Sequence, residues 1–220
     1  MPSRAEQKAR TRNALIDSVL GIIGGGANFA SISLREVAKT AGVVPTSFYR
    51  HFVDMDELGL AVVDELSLDL RRMMRGSFDP AASLDDMTRY FVRGYQRYVL
   101  DNADLIQFVN QARTGGTPAL RQAIGQELDF LATRIASGLR PAMPGLKPAD
   151  RDTVSRVIVA VMLENTATLL AISARNKALQ DELRDELVHK INVILLGAGQ
   201  LADSSAPKRR PRSSPRAGQH

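Results

Sequence analysis

Apolar positions recur along this chain with the period of a helix, and no stretch shows the alternation of a strand. Leu15, Val19 and Ile22 stand at i, i+4 and i+7, the spacing that lines one side of a helix. Gly24-Gly25-Gly26 closes that stretch. Leu34, Val37, Ala38 and Ala41 form a second, shorter stripe, opened by Ser33 with Glu36 three residues on and stopped by Gly42. Serine and glutamate at that distance make a capping box, each side chain taking up a backbone amide the helix leaves unpaired. Pro45 sits where a third helix begins, its missing N–H harmless in the first turn. Val44 before it has no side-chain acceptor to serve as a cap, and Phe48 and Phe52, four apart, share a face that must be buried. Asp54 and Glu57 repeat the cap signature and open a longer stripe through Leu58, Val62 and Leu66, expected to end near Gly76.

Beyond Asp79-Pro80 the same period predicts further helices over about 83–100, 102–113, 118–140, 149–174 and 179–202. Pro141, Pro144, Gly145 and Pro148 mark the interval after residue 140 as a linker. The reading is an all-α fold: a three-helix unit over 1–53 with an arm at about 1–8, then a helical body over 54–203. From Ser204 to His220 proline, serine and arginine dominate, which predicts a disordered basic tail.

Charge changes this picture. The chain holds 29 Lys and Arg against 24 Asp and Glu. Residues 1–52 carry seven basic groups and three acids, and the tail from Pro207 carries five basic groups and no acid. The interval between them is left with seventeen basic and twenty-one acidic groups. Basic ends on an acidic body suggest a polyanion partner for the ends, or tails that only keep the chain dissolved.

The turn Ala41-Gly42-Val43 between two short helices is a helix-turn-helix candidate. With Phe48 and Phe52 turned inward, Thr46, Tyr49 and Arg50 fall at i, i+3 and i+4 on an outward face, flanked by Ser47 and His51. Two hydroxyls, a phenol, a guanidinium and an imidazole together can meet base edges and phosphates. A merely solvated face would show glutamate, lysine and glutamine instead, and no acid intervenes between Lys39 and Asp54. The candidate DNA-binding residues are therefore Ser33, Arg35, Pro45, Thr46, Ser47, Tyr49, Arg50 and His51, with Arg4 and Arg12 from the N-terminal arm.

The stretch SLREVAKTAGVVPTSFYRHFVDMDELG, Ser33 to Gly59, closely resembles the DNA-binding segment of TetR-family regulators. Its LREVA, PTSFYRHF and D-x-D-E-L-G elements look most like the branch containing the fatty-acid regulators FabR and DesT. One departure is Met55, where many members of the family place a lysine. The resemblance implies a homodimer on a double-stranded DNA operator, each subunit having three DNA-binding helices joined by a fourth to a helical ligand-binding body. It also implies a hydrophobic small-molecule effector, for this branch a long-chain acyl thioester.

Within the body, Leu183, Leu187, Ile191 and Leu195 form a stripe on the last helix, and Val161 and Leu169 lie on the apolar helix before it. These are the candidate dimer-interface residues, although an ordinary core would use the same positions. Phe91, Tyr95, Phe108, Val109 and Leu128 are candidates for a ligand pocket, with Arg113 and Arg121 for an anionic head group; as a bland alternative they are core and surface arginines. Nothing supports an enzyme: there is no Cys, the three His at 51, 189 and 220 are scattered, and GxSxG, HExxH, Walker A and GxGxxG are all missing. No metal or cofactor is expected. The charged start MPSRAEQKAR and the glycine-broken stretch from Ser18 to Leu34 point to a cytoplasmic protein with no membrane partner.

Overall fold

Ser3 opens the first helix. Its Oγ accepts the Glu6 N–H at 3.2 Å while the Glu6 carboxylate accepts the Ser3 N–H at 2.6 Å, so α1 runs from Arg4 to Gly24. The segment expected as an arm is therefore helical from Arg4 onward, because the capping box lies at Ser3 and Glu6. The computed structural model describes residues 3–73, 82–172 and 176–205, and its regular elements are all helices. The expected end of the fourth helix near Gly76, the position Ala174 and the tail from residue 206 lie outside the described residues; Ser204 and Ser205, expected in that tail, instead continue the last helix.

The end of α1 turns through Gly26 at φ +97°, with Gly26 N–H on Ile23 O at 2.8 Å and Ala27 N–H on Ile22 O at 3.3 Å. That pair of bonds is the Schellman closure, which needs a left-handed residue. The buried line of α1 is Leu15, Ile16, Val19 and Ile23, so Ile22 is only half-buried and its neighbour takes the inner place. After a 3-10 turn at Phe29–Ser31 comes α2, Leu34–Thr40. Ser33 Oγ accepts the Glu36 N–H at 3.2 Å. The helix ends on Gly42 at φ +68°, with Gly42 N–H on Lys39 O and Val43 N–H on Ala38 O, the same closure again. Helix α3, Pro45–Phe48, is a single turn that continues as turn backbone to His51. Phe48 and Phe52 are buried under it beside Val37, Ala38 and Leu58.

Helix α4, Met55–Met73, leaves this head and enters the body. There it packs on α7 (Pro118–Ala142), while α1 packs on α6 (Ala103–Gly115). Among the contacts that join head to body, three stand out. Phe29 meets Phe108 edge-on, ring centres 4.9 Å apart. Gln111 on α6 accepts the Phe29 N–H at 2.9 Å and donates to Ala27 O at 3.1 Å. Gly59 leaves room for Leu120 and Phe29, either of which a Cβ there would crowd to 3.0 Å or less.

The body is completed by α5 (Leu84–Asp101), α8 (Pro148–Ala171) and α9 (Lys177–Ser205). Helix α8 lies between α7 and α9, and α5 packs on α9. Burying each large apolar side chain here contributes ~1.5–3 kcal/mol. Amides fix the register: Gln96 donates to Gln180 O at 2.5 Å and Asn165 to Leu183 O at 3.3 Å, both buried. By length and composition α8 could cross a membrane, yet it buries Ser155, Asn165 and Thr166 among its neighbours, as a core helix does. One expectation fails: α7 passes through Pro141 to Ala142. A proline so near the end forfeits one helical bond, and Met143 N–H still reaches Leu139 O at 2.8 Å.

Candidate nucleic-acid interface

The turn geometry of Gly42 and the burial of Phe48 decide what α3 shows to solvent. Thr46, Tyr49 and Arg50 are exposed together with Pro45, and Tyr49 keeps 63% of its surface. Its ring leans edge-on against Phe48 at 5.9 Å, which steadies the phenol while leaving its hydroxyl free to reach outward. Ser47 and His51 are half-buried and turn toward α1. There they line an open groove of about 620 Å³ with Arg4, Gln7, Lys8, Thr11, Val43, Val44 and Arg50. The structure thus divides the candidate residues into two sets. Pro45, Thr46 and Tyr49 form an outer edge suited to the floor of a DNA groove. Arg4, Ser47, Arg50 and His51 form a cationic cleft suited to a phosphate.

The remaining candidates lie around this pair. Arg12 sits over the Phe52 ring at 5.2 Å, a cation–π contact that ties its guanidinium to the base of α3. Ser33 spends its oxygen on the Glu36 amide and keeps its O–H to donate, while Arg35 is exposed on the first turn of α2. Met55 is half-buried against the head core, so no charge stands at that position. Burial, and then the positive charges of Lys8, Arg12 and Arg50, hold the His51 imidazole below its ordinary value. Its Nδ1 is buried without a partner.

Sequence reasoning missed Gln7 and Thr11, although Arg4, Lys8 and Thr11 fall at i, i+4 and i+7. That face becomes visible only once the helix is started at Ser3. It also passed over Val44, which is 64% exposed beside Pro45 and can meet a thymine methyl.

The family described as bacterial regulatory proteins, tetR family, matches residues 27–62, from the end of α1 through α2 and α3 into α4. This segment, which holds the α2–α3 turn, is similar to the tetR-family unit. The whole chain has the same fold as solved tetR-type proteins at low identity. A putative TetR-family regulator from Rhodococcus sp. superposes with a TM-score of 0.67 at 19% identity, over 84% of this chain and 98% of that one. A tetR-family regulator from Streptomyces coelicolor gives 0.69 at 16% identity, over 96% and 94%. The fatty acid degradation regulator FadR from Bacillus halodurans gives 0.62 at 14% identity, over 81% and 94%. What the chain shares with these solved proteins is the fold.

In the body the other candidates separate. Tyr95, Val109 and Leu128 line a small, partly open void, and Phe91 lines a second one. Phe108 is fully buried against Phe29, so it serves the head–body junction and lines neither void. Arg113 and Arg121 are on the surface, Arg121 turned back onto the Gly116 carbonyl. Leu169, Leu183, Leu187, Ile191 and Leu195 are buried within the protomer, and Val161 is half-buried. The large apolar side chains that α8 and α9 leave uncovered include Val157, Val193, Leu196 and Leu201, with Leu196 at 72% and Val193 at 54%.

Proposed function

We propose that this tetR-type protein is a ligand-responsive repressor that binds a two-fold symmetric operator as a homodimer. The observation that carries the reading is the α3 face, where Thr46 and Tyr49 stand clear of the surface beside a cleft of Arg4, Lys8, Arg50 and His51. One head neutralises few phosphates, and two heads about one DNA turn apart double the contacts and impose a palindrome. The uncovered Val157, Val193, Leu196 and Leu201 of α8 and α9 support a second copy on that face. Selection of duplexes from a random pool by the purified protein tests this. A recovered site with two-fold symmetry, bound far more tightly than random DNA, is expected; recovery of no preferred sequence would overturn it.

The effector is a hydrophobic small molecule bound among the body helices. A long-chain acyl thioester is the narrower proposal: it draws on the resemblance to the FabR and DesT branch and on the apolar lining of the body voids. The FadR likeness supports the fold alone. Operator affinity measured with acyl thioesters of several lengths, and with free coenzyme A, tests it. A change of less than about threefold, well under the usual range of coupling energies, removes the thioester reading.

A further inference from the structure

Two small, partly open voids lie among the body helices. One, of about 40 Å³, is walled by Leu66 of α4, Tyr95 of α5, Val109 of α6, Leu131 of α7, and Met162 and Thr166 of α8. The other, of about 30 Å³, is walled by Met87 and Phe91 of α5, Ile135 of α7, Ile158 of α8 and Ile191 of α9. Their positions are related: Phe91 and Tyr95, Leu131 and Ile135, Ile158 and Met162 are each four residues apart. The voids therefore lie one turn apart along the same three helices. Each has room for only two or three waters at ~10–15 Å³ apiece. Close-packed interiors hold few gaps of this size, and these two fall in line.

Resting on the effector-binding reading above, we propose that the two voids are the ends of one elongated site, and that it takes a straight alkyl chain carrying an uncharged oxygen head group. The span from Leu84 to Tyr95 along α5 is about 16 Å at 1.5 Å per residue. Met162 lines the first pocket one turn from Ile158 of the second, and its unbranched stem adapts to an inserted chain. The second void is apolar but for Thr88, whose hydroxyl is committed to Leu84 O at 2.8 Å, and this end takes the tail.

Polar groups gather at the other end. The Tyr95 and Thr166 hydroxyls hydrogen-bond each other, and both lie within reach of Met162 O, at 3.0 and 2.8 Å. Both protons are engaged within this cluster, and each oxygen keeps at least one lone pair to accept. Asn110 at the same wall has a side-chain amide with no hydrogen-bond partner among the described residues. Together they can bind an alcohol or a carbonyl oxygen. Among the described residues no charged side chain lines either void, and Arg113 and Arg121 stand outside on the surface. A carboxylate would lose its water with no cation to replace it, a cost that favours the neutral form. Burial pushes the Tyr95 phenol up to about 12, so this end stays uncharged as well.

Calorimetry on the full chain without DNA tests the site with 1-decanol, decanoate and 1-butanol at neutral pH. Decanol is expected to bind at least about tenfold tighter than decanoate, one hydrogen-bonded desolvation step in size. Leu84→Phe, at the tail end, should weaken decanol by roughly threefold or more and leave butanol unchanged, as one lost methylene-scale fit does. Asn110→Leu should weaken decanol about tenfold, with circular dichroism and melting showing that both variants fold. Decanoate binding as tightly as decanol overturns the uncharged head. A Leu84→Phe variant that shifts both alcohols equally, or neither, overturns the single slot. No alcohol binding at all means ordinary packing voids. Decanol that binds without altering operator affinity sinks the regulatory reading and leaves the site standing.

Discussion

Arg50 shares its cleft with Arg4 and Lys8, a setting that aims the guanidinium at the sugar–phosphate chain. Arg50→Ala should therefore weaken operator and random DNA in parallel and reduce the salt slope by about one unit; a selective loss of operator affinity alone would show that Arg50 reads a base. His51 offers a second measurement. Its pKa lies below 6.5 in the folded head because of burial and of Lys8, Arg12 and Arg50, so the unfolded chain binds more protons just under that pH. The neutral ring's contribution to stability is present above pH 6.5 and is lost as the pH falls through the folded value. Melting temperature measured between pH 7 and pH 5 should fall less steeply in His51→Gln than in the parent; equal slopes would show that the ring is not proton-linked to folding.

Helix ends were the most readable elements. The α2–α3 turn followed from Gly42, whose φ of +68° only glycine adopts without strain. A Cβ there meets nothing within 4 Å, so Gly42→Ala carries the backbone cost alone, about 1–2 kcal/mol. Thermal unfolding should show a loss of a few degrees, and an unchanged midpoint would mean that the turn relaxes freely. The start of α1 was legible too, in Ser3 and Glu6, but the run of Arg and Lys that follows also suits a free arm. Pro141 misled because a proline breaks a helix interior and costs little in a last turn. The stripe Leu183, Leu187, Ile191, Leu195 has the same period whether it faces its own body or a partner. Only the packing of α9 on α5 and α8 shows that it is spent inside.

At the scale of the molecule, the uncovered apolar side chains of α8 and α9 carry the proposed dimer. Leu196→Glu together with Val193→Glu places two carboxylates on that face and should convert a dimer to a monomer in sedimentation without lowering helix content. A variant that still sediments as a dimer would move the interface elsewhere. These side chains were not legible because exposure, unlike periodicity, belongs to the assembled body. The voids were legible in part: Phe91 and Tyr95 stand among the pocket candidates, but core and pocket lining share one pattern until three helices are in place. One side chain has a wider consequence. Gln111 belongs to α6, deep in the body by sequence, yet it holds the backbone of Ala27 and Phe29 at two points. An interchange of reading heads between such regulators, cut in α4, would leave this amide facing a foreign loop. A chimera that keeps its own α6 with its own head, carrying Phe108 and Gln111 along, is the one whose graft retains a seat.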